Sequence, residues 1–433
     1  GQFSTHISHI IFLMQENRAY DNFYGTYCLT TGKYCPHAAN GIPSSTCVPL
    51  YPGTLNFACK KPYDLLPSQL SLPDLPHDWY SSHSAYDSGY MNNFYAAEGG
   101  NQTFGHYNGS SIPIYWDLAE QYALADNFFT SAMTYSLSNH WYMLGAAAPS
   151  TSFLQFPPWA PVSVQHQYLN ESNVTPTIED RLVNSSVSWE YYDFGLQKYA
   201  NAITNSACCG GGSAYDLWNP LAAKHQSYAA KVKTHFVPKS QFFTDAAAGT
   251  LPNVSWLMPA PWQSDHAPDN LSDGQNWSAS VVNALEASPQ WNSTVLFISW
   301  DEYGGWYDHV RPPRIDAYGD AFRAPLLAIG PWVRQGFVDH HQMDFDSILH
   351  LMEARFGLRC LGPRDCSATL PLGVFNFNQT VRAPIFIPPF GNATYPMPLQ
   401  SSGMLPHFDP MRGSPPAEGP PPSMTGFING DED

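Results

Sequence analysis

Two short apolar runs that end in carboxylates constrain this chain more than any other feature. Residues 7–14 read Ile-Ser-His-Ile-Ile-Phe-Leu-Met and continue into Gln15-Glu16-Asn17-Arg18. Residues 294–300 read Thr-Val-Leu-Phe-Ile-Ser-Trp and continue into Asp301-Glu302. Such runs are too short for a membrane span and read as strands buried on both faces. Strands of that kind belong to parallel sheets covered by helices, where ligands gather at the carboxyl ends. Residues 324–330 (APLLAIG) read as a third strand. Helices are expected over 114–129, 136–148 and 277–289. An amphipathic helix is expected over 344–357, with Asp344 as its N-cap and Gly357 at its end. The alternation predicts an α/β fold with a mostly parallel central sheet flanked by helices.

Two adjacent carboxylates at a strand end repel each other, and a shared cation removes that cost. Charged residues are only 13% of the 433, so acids placed at the ends of apolar strands are informative. Glu16, Asn17, Asp301 and Glu302 offer hard oxygen donors suited to one divalent cation: Ca, Mg, Mn or Zn. Gly304-Gly305 permits a close backbone approach just beyond them. Asp308 and His309 read either as supports for that site or as a satisfied pair orienting the loop. Ser136 and Ser138 precede an apolar stretch, where a helix N-terminus would favour an alkoxide or a phosphate. His77, with His83 nearby, and His266 lie in polar loops, from which a histidine can orient phosphate oxygens or protonate a leaving group. Taken singly, each of these has a commoner structural reading as a turn, a cap or a surface histidine. Together they are the equipment for moving a phosphoryl group from an ester to a hydroxyl and then to water.

Composition places the chain. With 19 Lys+Arg against 36 Asp+Glu and a formal charge of −17, it is a poor general binder of nucleic acid or anionic membrane. Eleven N-x-S/T sequons, from Asn101 to Asn392, predict N-linked glycans. The eight cysteines are Cys28, Cys35, Cys47, Cys59, Cys208, Cys209, Cys360 and Cys366. They read as disulfides, because no C-x-x-C pair with zinc spacing is present. No apolar run approaches the length of a transmembrane segment. Gly1 reads as the start of a chain whose leader has been removed. The expected location is extracellular or at the cell surface. Residues 1–383 are expected to form one α/β domain, with a Cys/Pro/Gly-rich, disulfide-stapled insertion over 25–75. Residues 384–433 are expected to form a Pro-rich C-terminal extension.

The chain also resembles a phosphoesterase family that holds bacterial non-haemolytic phospholipases C and a respiratory-burst-inhibiting acid phosphatase. The matching stretches run in order from His9 through Gln15-Glu16-Asn17-Arg18-Ala19-Tyr20-Asp21, His77-Asp78-Trp79 and Leu124-Ala125-Asp126-Asn127. They continue through Ser136-Leu137-Ser138-Asn139-His140, Asp265-His266-Ala267-Pro268 and Asp301-Glu302-Tyr303-Gly304-Gly305 to Gly357. The resemblance implies a sheet like that of alkaline phosphatase and arylsulfatase. It implies Glu16, Asn17, Asp301 and Glu302 as metal ligands and Ser136 as nucleophile, where many phospholipases C have Thr. It implies His77 and His266 as phosphate-binding or acid/base groups, with His140 beside them. Ser138 stands where the family usually has Pro, so it competes with Ser136.

The expected function is a secreted, metal-dependent phosphoric ester hydrolase, with a broad-specificity acid phosphatase first and a phospholipase C as the alternative. The substrate is then a small phosphate ester or a phospholipid. A non-catalytic cell-envelope glycoprotein on the same fold is the rival from another class, and cell-surface association would fit it. The scarcity of ions also predicts stability and an activity optimum at low pH, the mark of an acidophile, because few charges are left to unbalance.

Overall fold

The computed structural model describes residues 1–28, 39–148, 154, 155, 176–193, 218, 220 and 233–391. Among the described residues, eight strands form the central sheet. In chain order they are β1 (His9–Gln15), β2 (Ala123–Ala125), β3 (Trp189–Asp193), β4 (Phe236–Pro238), β5 (Val254–Leu257), β6 (Thr294–Trp300), β7 (Leu326–Ile329) and β8 (Phe337–Asp339). Their order across the sheet is β8-β2-β7-β6-β1-β5-β3-β4. Only β7 runs against the rest: its pairings with β6 and β2 are antiparallel and the others are parallel. The predicted α/β class with a mostly parallel sheet is therefore what the chain adopts.

β1 and β6 are central and buried along their lengths, which is why they read as continuous apolar runs. They pair in register, Ile10 on Val295 and Gln15 on Trp300. That register sets Glu16 and Asp301 side by side at the carboxyl edge.

Several elements differ from expectation. The helix predicted over 114–129 is Pro113–Gln121 (α1), and 123–125 is instead β2. A three-residue strand has too short a period to be told from a helical continuation. The helix predicted over 136–148 covers Ser136–Tyr142 (α2) and ends in a turn, with Leu144 and Gly145 donating to the Trp141 carbonyl. The helix expected over 277–289 starts earlier, at Leu271, and runs to Glu286 (α3), because the Asn270 side chain caps it by accepting from the Ser272 amide. The helix predicted over 344–357 is Phe345–Phe356 (α4), with Asp344 capping the Ser347 amide and Gly357 in the left-handed region at φ 66°.

Disulfides join Cys47 to Cys59 and Cys360 to Cys366, and Cys28 is also disulfide-bonded. Cys35, Cys208 and Cys209 lie outside the described residues, as do the sequons at Asn170, Asn173 and Asn392. Asn276 is a correction to the glycan expectation. Its side chain is buried in α3, donates to the Phe390 carbonyl and accepts from the Phe390 amide, so it ties down the C-terminal stretch. Asn283 holds Ile387 in the same way. No helix among the described residues is long and apolar enough to cross a membrane.

Candidate active site

The carboxyl ends of β1 and β6 are stitched together by backbone. The Asn17 amide donates to Asp301 Oδ1 at 2.9 Å, and the Gly304 amide donates to Glu302 Oε2 at 2.7 Å. Asn17 sits at φ 61°, a left-handed conformation that Asn tolerates better than most residues. Gly304 has to be glycine: at φ 64°, a Cβ there would stand 2.2 Å from the Asn17 carbonyl oxygen.

This stitching leaves one oxygen of each predicted ligand unused. Glu16 Oε2, Asn17 Oδ1, Asp301 Oδ2 and Glu302 Oε1 are buried with no hydrogen-bond partner. Burial pushes the Glu16 carboxyl up to about 8. Burial, and then the charge of Glu16, pushes Asp301 up to about 7. Glu302 is held well above the usual carboxylate range, by burial first and Asp301 second. Three acids and an amide in a dry pocket, each with an orphaned oxygen, fit the oxygen-donor set of a divalent cation.

His140 reaches the same pocket from α2. Its Nε2 is 2.6 Å from Glu16 Oε1 and 3.9 Å from Asp301 Oδ2, and burial pushes the imidazole down to about 4. Glu16, His140 and Asp301 each present a donor atom within 4.8 Å of the others. The structure therefore places His140 among the acidic groups. Ser136 is the first residue of α2, and its hydroxyl favours the ionised form of both Glu16 and Asp301. Ser138 is buried in the same helix.

His77 closes the pocket from the other side. Its Nδ1 lies 2.5 Å from the Leu75 carbonyl, which makes Nδ1 the donor there and turns Nε2 toward the site. Nε2 is 3.4 Å from Asn17 Nδ2 and 3.9 Å from Glu302 Oε1. Burial works against protonation of His77, but Asp74, the Leu75 carbonyl, Asp301 and Glu98 outweigh it and raise the pKa. The His266 ring is 6.2 Å from the His77 ring, centroid to centroid. His83, by contrast, packs on Trp79 and bonds to its carbonyl.

Supporting groups that the sequence does not announce surround these. Asp265, at φ 70°, accepts from Tyr115 Oη at 2.5 Å and Trp300 Nε1 at 3.0 Å, and its carbonyl takes two bonds from Arg18. His266 is thereby anchored to β6 and to the segment after β1. Glu98 is buried, accepts from Tyr303 Oη at 2.6 Å and contributes to the field at His77. Asp308 and His309 both have partners of their own. Arg323 binds Asp308 at 2.9 Å and Asp21 at 3.0 Å, and Asp21 binds His309 at 2.7 Å. The one usable signal for Arg323 is that cations are scarce and it stands beside an apolar strand.

A family model named Phosphoesterase family matches residues 7–359. The chain belongs to that family. Phosphoesterase relatives include phospholipase C A of Mycobacterium tuberculosis, 28% identical over 393 residues, which cover 82% of this chain and 74% of that protein. The non-hemolytic phospholipase C of Burkholderia pseudomallei is 24% identical, with 82% of this chain and 55% of that protein covered. Among solved structures, a protein of the alkaline phosphatase superfamily from Vibrio parahaemolyticus aligns with 85% of this chain and 70% of its own, at TM-score 0.39 and 10% identity. By family and by these relatives, the chain is a phosphoric ester hydrolase.

Proposed function

We propose that this phosphoesterase cleaves phospholipids as a phospholipase C, through a phosphoester formed on Ser136. The observation that carries the reading is a buried pocket in which Glu16, Asn17, Asp301 and Glu302 each keep an oxygen without a hydrogen-bond partner, with Ser136 at the start of α2 favouring the ionised form of Glu16 and Asp301. A divalent cation held by Glu16, Asn17, Asp301 and Glu302 would supply Lewis acidity that lowers the pKa of a nearby hydroxyl and neutralises phosphoryl charge. The residues do the rest. Ser136 gives up its hydroxyl proton to solvent, and its Oγ forms a bond to phosphorus in line with the departing glycerol oxygen, whose P–O bond breaks. His77, whose Nε2 faces the site, or His266 beside it gives the leaving oxygen its proton. Water then bonds to phosphorus and gives a proton to the histidine; the Ser136 Oγ–P bond breaks, Oγ takes a proton back from solvent, and the headgroup phosphate leaves. The relatives named as phospholipases C support the phospholipid as substrate.

A broad-specificity acid phosphatase is the second reading, favoured by Ser rather than Thr at position 136. The disulfides at Cys47–Cys59 and Cys360–Cys366 and the exposed sequons at Asn101, Asn184, Asn292 and Asn378 support an extracellular or cell-surface glycoprotein. A non-catalytic role leaves the four orphaned oxygens without a purpose.

The test compares p-nitrophenyl phosphate with phosphatidylcholine across pH, using the wild type, Ser136→Ala and Ser138→Ala. Ser136→Ala is expected to lose turnover while keeping fold and bound metal, and Ser138→Ala to keep activity. Full activity in Ser136→Ala would sink the nucleophile assignment. Turnover of the phosphomonoester alone would replace the phospholipase reading with the phosphatase one.

A further inference from the structure

The exposed apolar side chains of this protein are not scattered. Among the described residues, six of the ten large exposed hydrophobics fall between positions 51 and 90. Leu55 and Phe57 are 91% and 89% exposed, whereas outside that segment no such residue exceeds 43%. Single surface hydrophobics are ordinary, but a local concentration of them is not.

Leu55 and Phe57 occupy the tip of a small hairpin. Its stem pairs Val48 with Lys60 and Pro49 with Cys59, and the Cys47–Cys59 disulfide closes it. The tip satisfies part of its own polar groups. Thr54 Oγ1 donates to the Tyr51 carbonyl, the Asn56 amide donates to Thr54 Oγ1, and the Ala58 amide donates to Asn56 Oδ1. Those bonds hold the turn with the Leu55 and Phe57 side chains exposed at its end. Such a tip can enter an apolar medium without stranding the polar groups bonded within it.

The segment also escapes the charge of the rest. From Gly25 to Pro73 the sequence holds three lysines (Lys33, Lys60 and Lys61) and one acid (Asp64), in a chain of formal charge −17. Lys60 and Lys61 follow the tip directly, and Lys61 is exposed. Tyr51, in the same hairpin, is exposed as well. An apolar prong flanked by lysine and tyrosine is the composition of a membrane interface anchor, with rings and ammonium groups at headgroup depth. Tyr51 packs on Tyr95 with ring centroids 6.1 Å apart, and Glu98, three residues on, acts on His77.

We propose that the tip of the Cys47–Cys59 hairpin docks this enzyme on a zwitterionic phospholipid surface, with Leu55 and Phe57 inserted and Lys60 and Lys61 at the phosphates. The overall negative charge disfavours an anionic bilayer and so points to the zwitterionic one. A convex two-residue prong is also a poor match for a protein partner, which needs roughly 800 Å² of complementary surface on each side. The inference takes its meaning from the phospholipid reading of the site, but its test reads binding without turnover.

The test is co-sedimentation of the full, metal-loaded chain with phosphatidylcholine vesicles, alongside Leu55→Ser/Phe57→Ser. The wild type is expected to pellet with the vesicles, and the double variant to bind at least about tenfold more weakly. Turnover of soluble p-nitrophenyl phosphate or monomeric short-chain phosphatidylcholine is expected to be the same for both. A wild type left in the supernatant, or a double variant that binds as well as the wild type, overturns the proposal. So does a fall from dimer to monomer in the double variant by light scattering, which would make a second copy of the chain the occupant. Vesicle binding by an enzyme that hydrolyses only phosphomonoesters would leave the docking intact and sink the phospholipase reading instead.

Discussion

His140 Nε2 lies 2.6 Å from Glu16 Oε1, with both side chains fully buried, at the point where α2 meets the carboxyl end of β1. An imidazole in that position would orient Glu16 for a cation held by the pocket. His140→Ala is therefore expected to weaken cation binding by about 10–100-fold, the usual cost of losing a group that holds a ligand in place. Calorimetric titration of the metal-free protein measures this. Unchanged affinity with a displaced pH–rate profile would return His140 to the acid/base set.

The same pocket predicts how cation affinity depends on pH. Without a cation, burial holds Glu16 at about 8 and Asp301 at about 7, so both carry protons at mildly acidic pH. Cation binding requires them ionised and must release those protons. Affinity is expected to fall as pH drops from 8 to 5, with net proton release near pH 6. Titrations in buffers of different ionisation enthalpy read the proton count. A pH-independent affinity would mean that these carboxylates are not the ligands.

How much of this was legible in sequence follows from strand length and from charge. β1 and β6 are seven residues each and buried throughout, so their apolar runs and terminal acids were visible, and their register brought Glu16 to Asp301. β2 and β8 have three residues each and leave no period to detect. Glu98, Asp265 and Arg323 were missed for another reason. Each acts through partners distant in sequence, Tyr303, Trp300 and Asp21, and nothing local marks such a pairing. His140 was visible beside the catalytic set, but its contact with Glu16 is made by packing and has no local mark.

Arg323 carries the next prediction. It is fully buried between Asp308 and Asp21 and covers the Tyr20 ring at 4.4 Å. Removing one side of a buried ion pair leaves the other charge uncompensated, which typically costs about 3–5 kcal/mol. Arg323→Met is expected to lose stability on that scale in denaturant unfolding and to loosen the loop over 303–309. A loss under about 1 kcal/mol, the range of exposed ion pairs, would show that the pair is better solvated than its burial implies.

Glu286, the last residue of α3, gives a stability prediction with a definite sign. It accepts from Tyr122 Oη and from the Ile385 amide, and it lies near Arg382. Burial outweighs all three and pushes its carboxyl from 4.5 up to about 7. Between those values the folded protein keeps a proton that the unfolded chain has released. The contribution of Glu286 is thus fully present below about pH 4.5 and is lost as pH rises through 7, at up to about 1.4 kcal/mol per pH unit. Glu286→Gln keeps the shape without the ionisation, so its unfolding free energy should vary less steeply than that of the wild type between pH 5 and 7. Urea unfolding at the two pH values measures the difference. Equal slopes in the two proteins would show that Glu286 is ionised in the fold, and would take away one physical basis for stability at low pH.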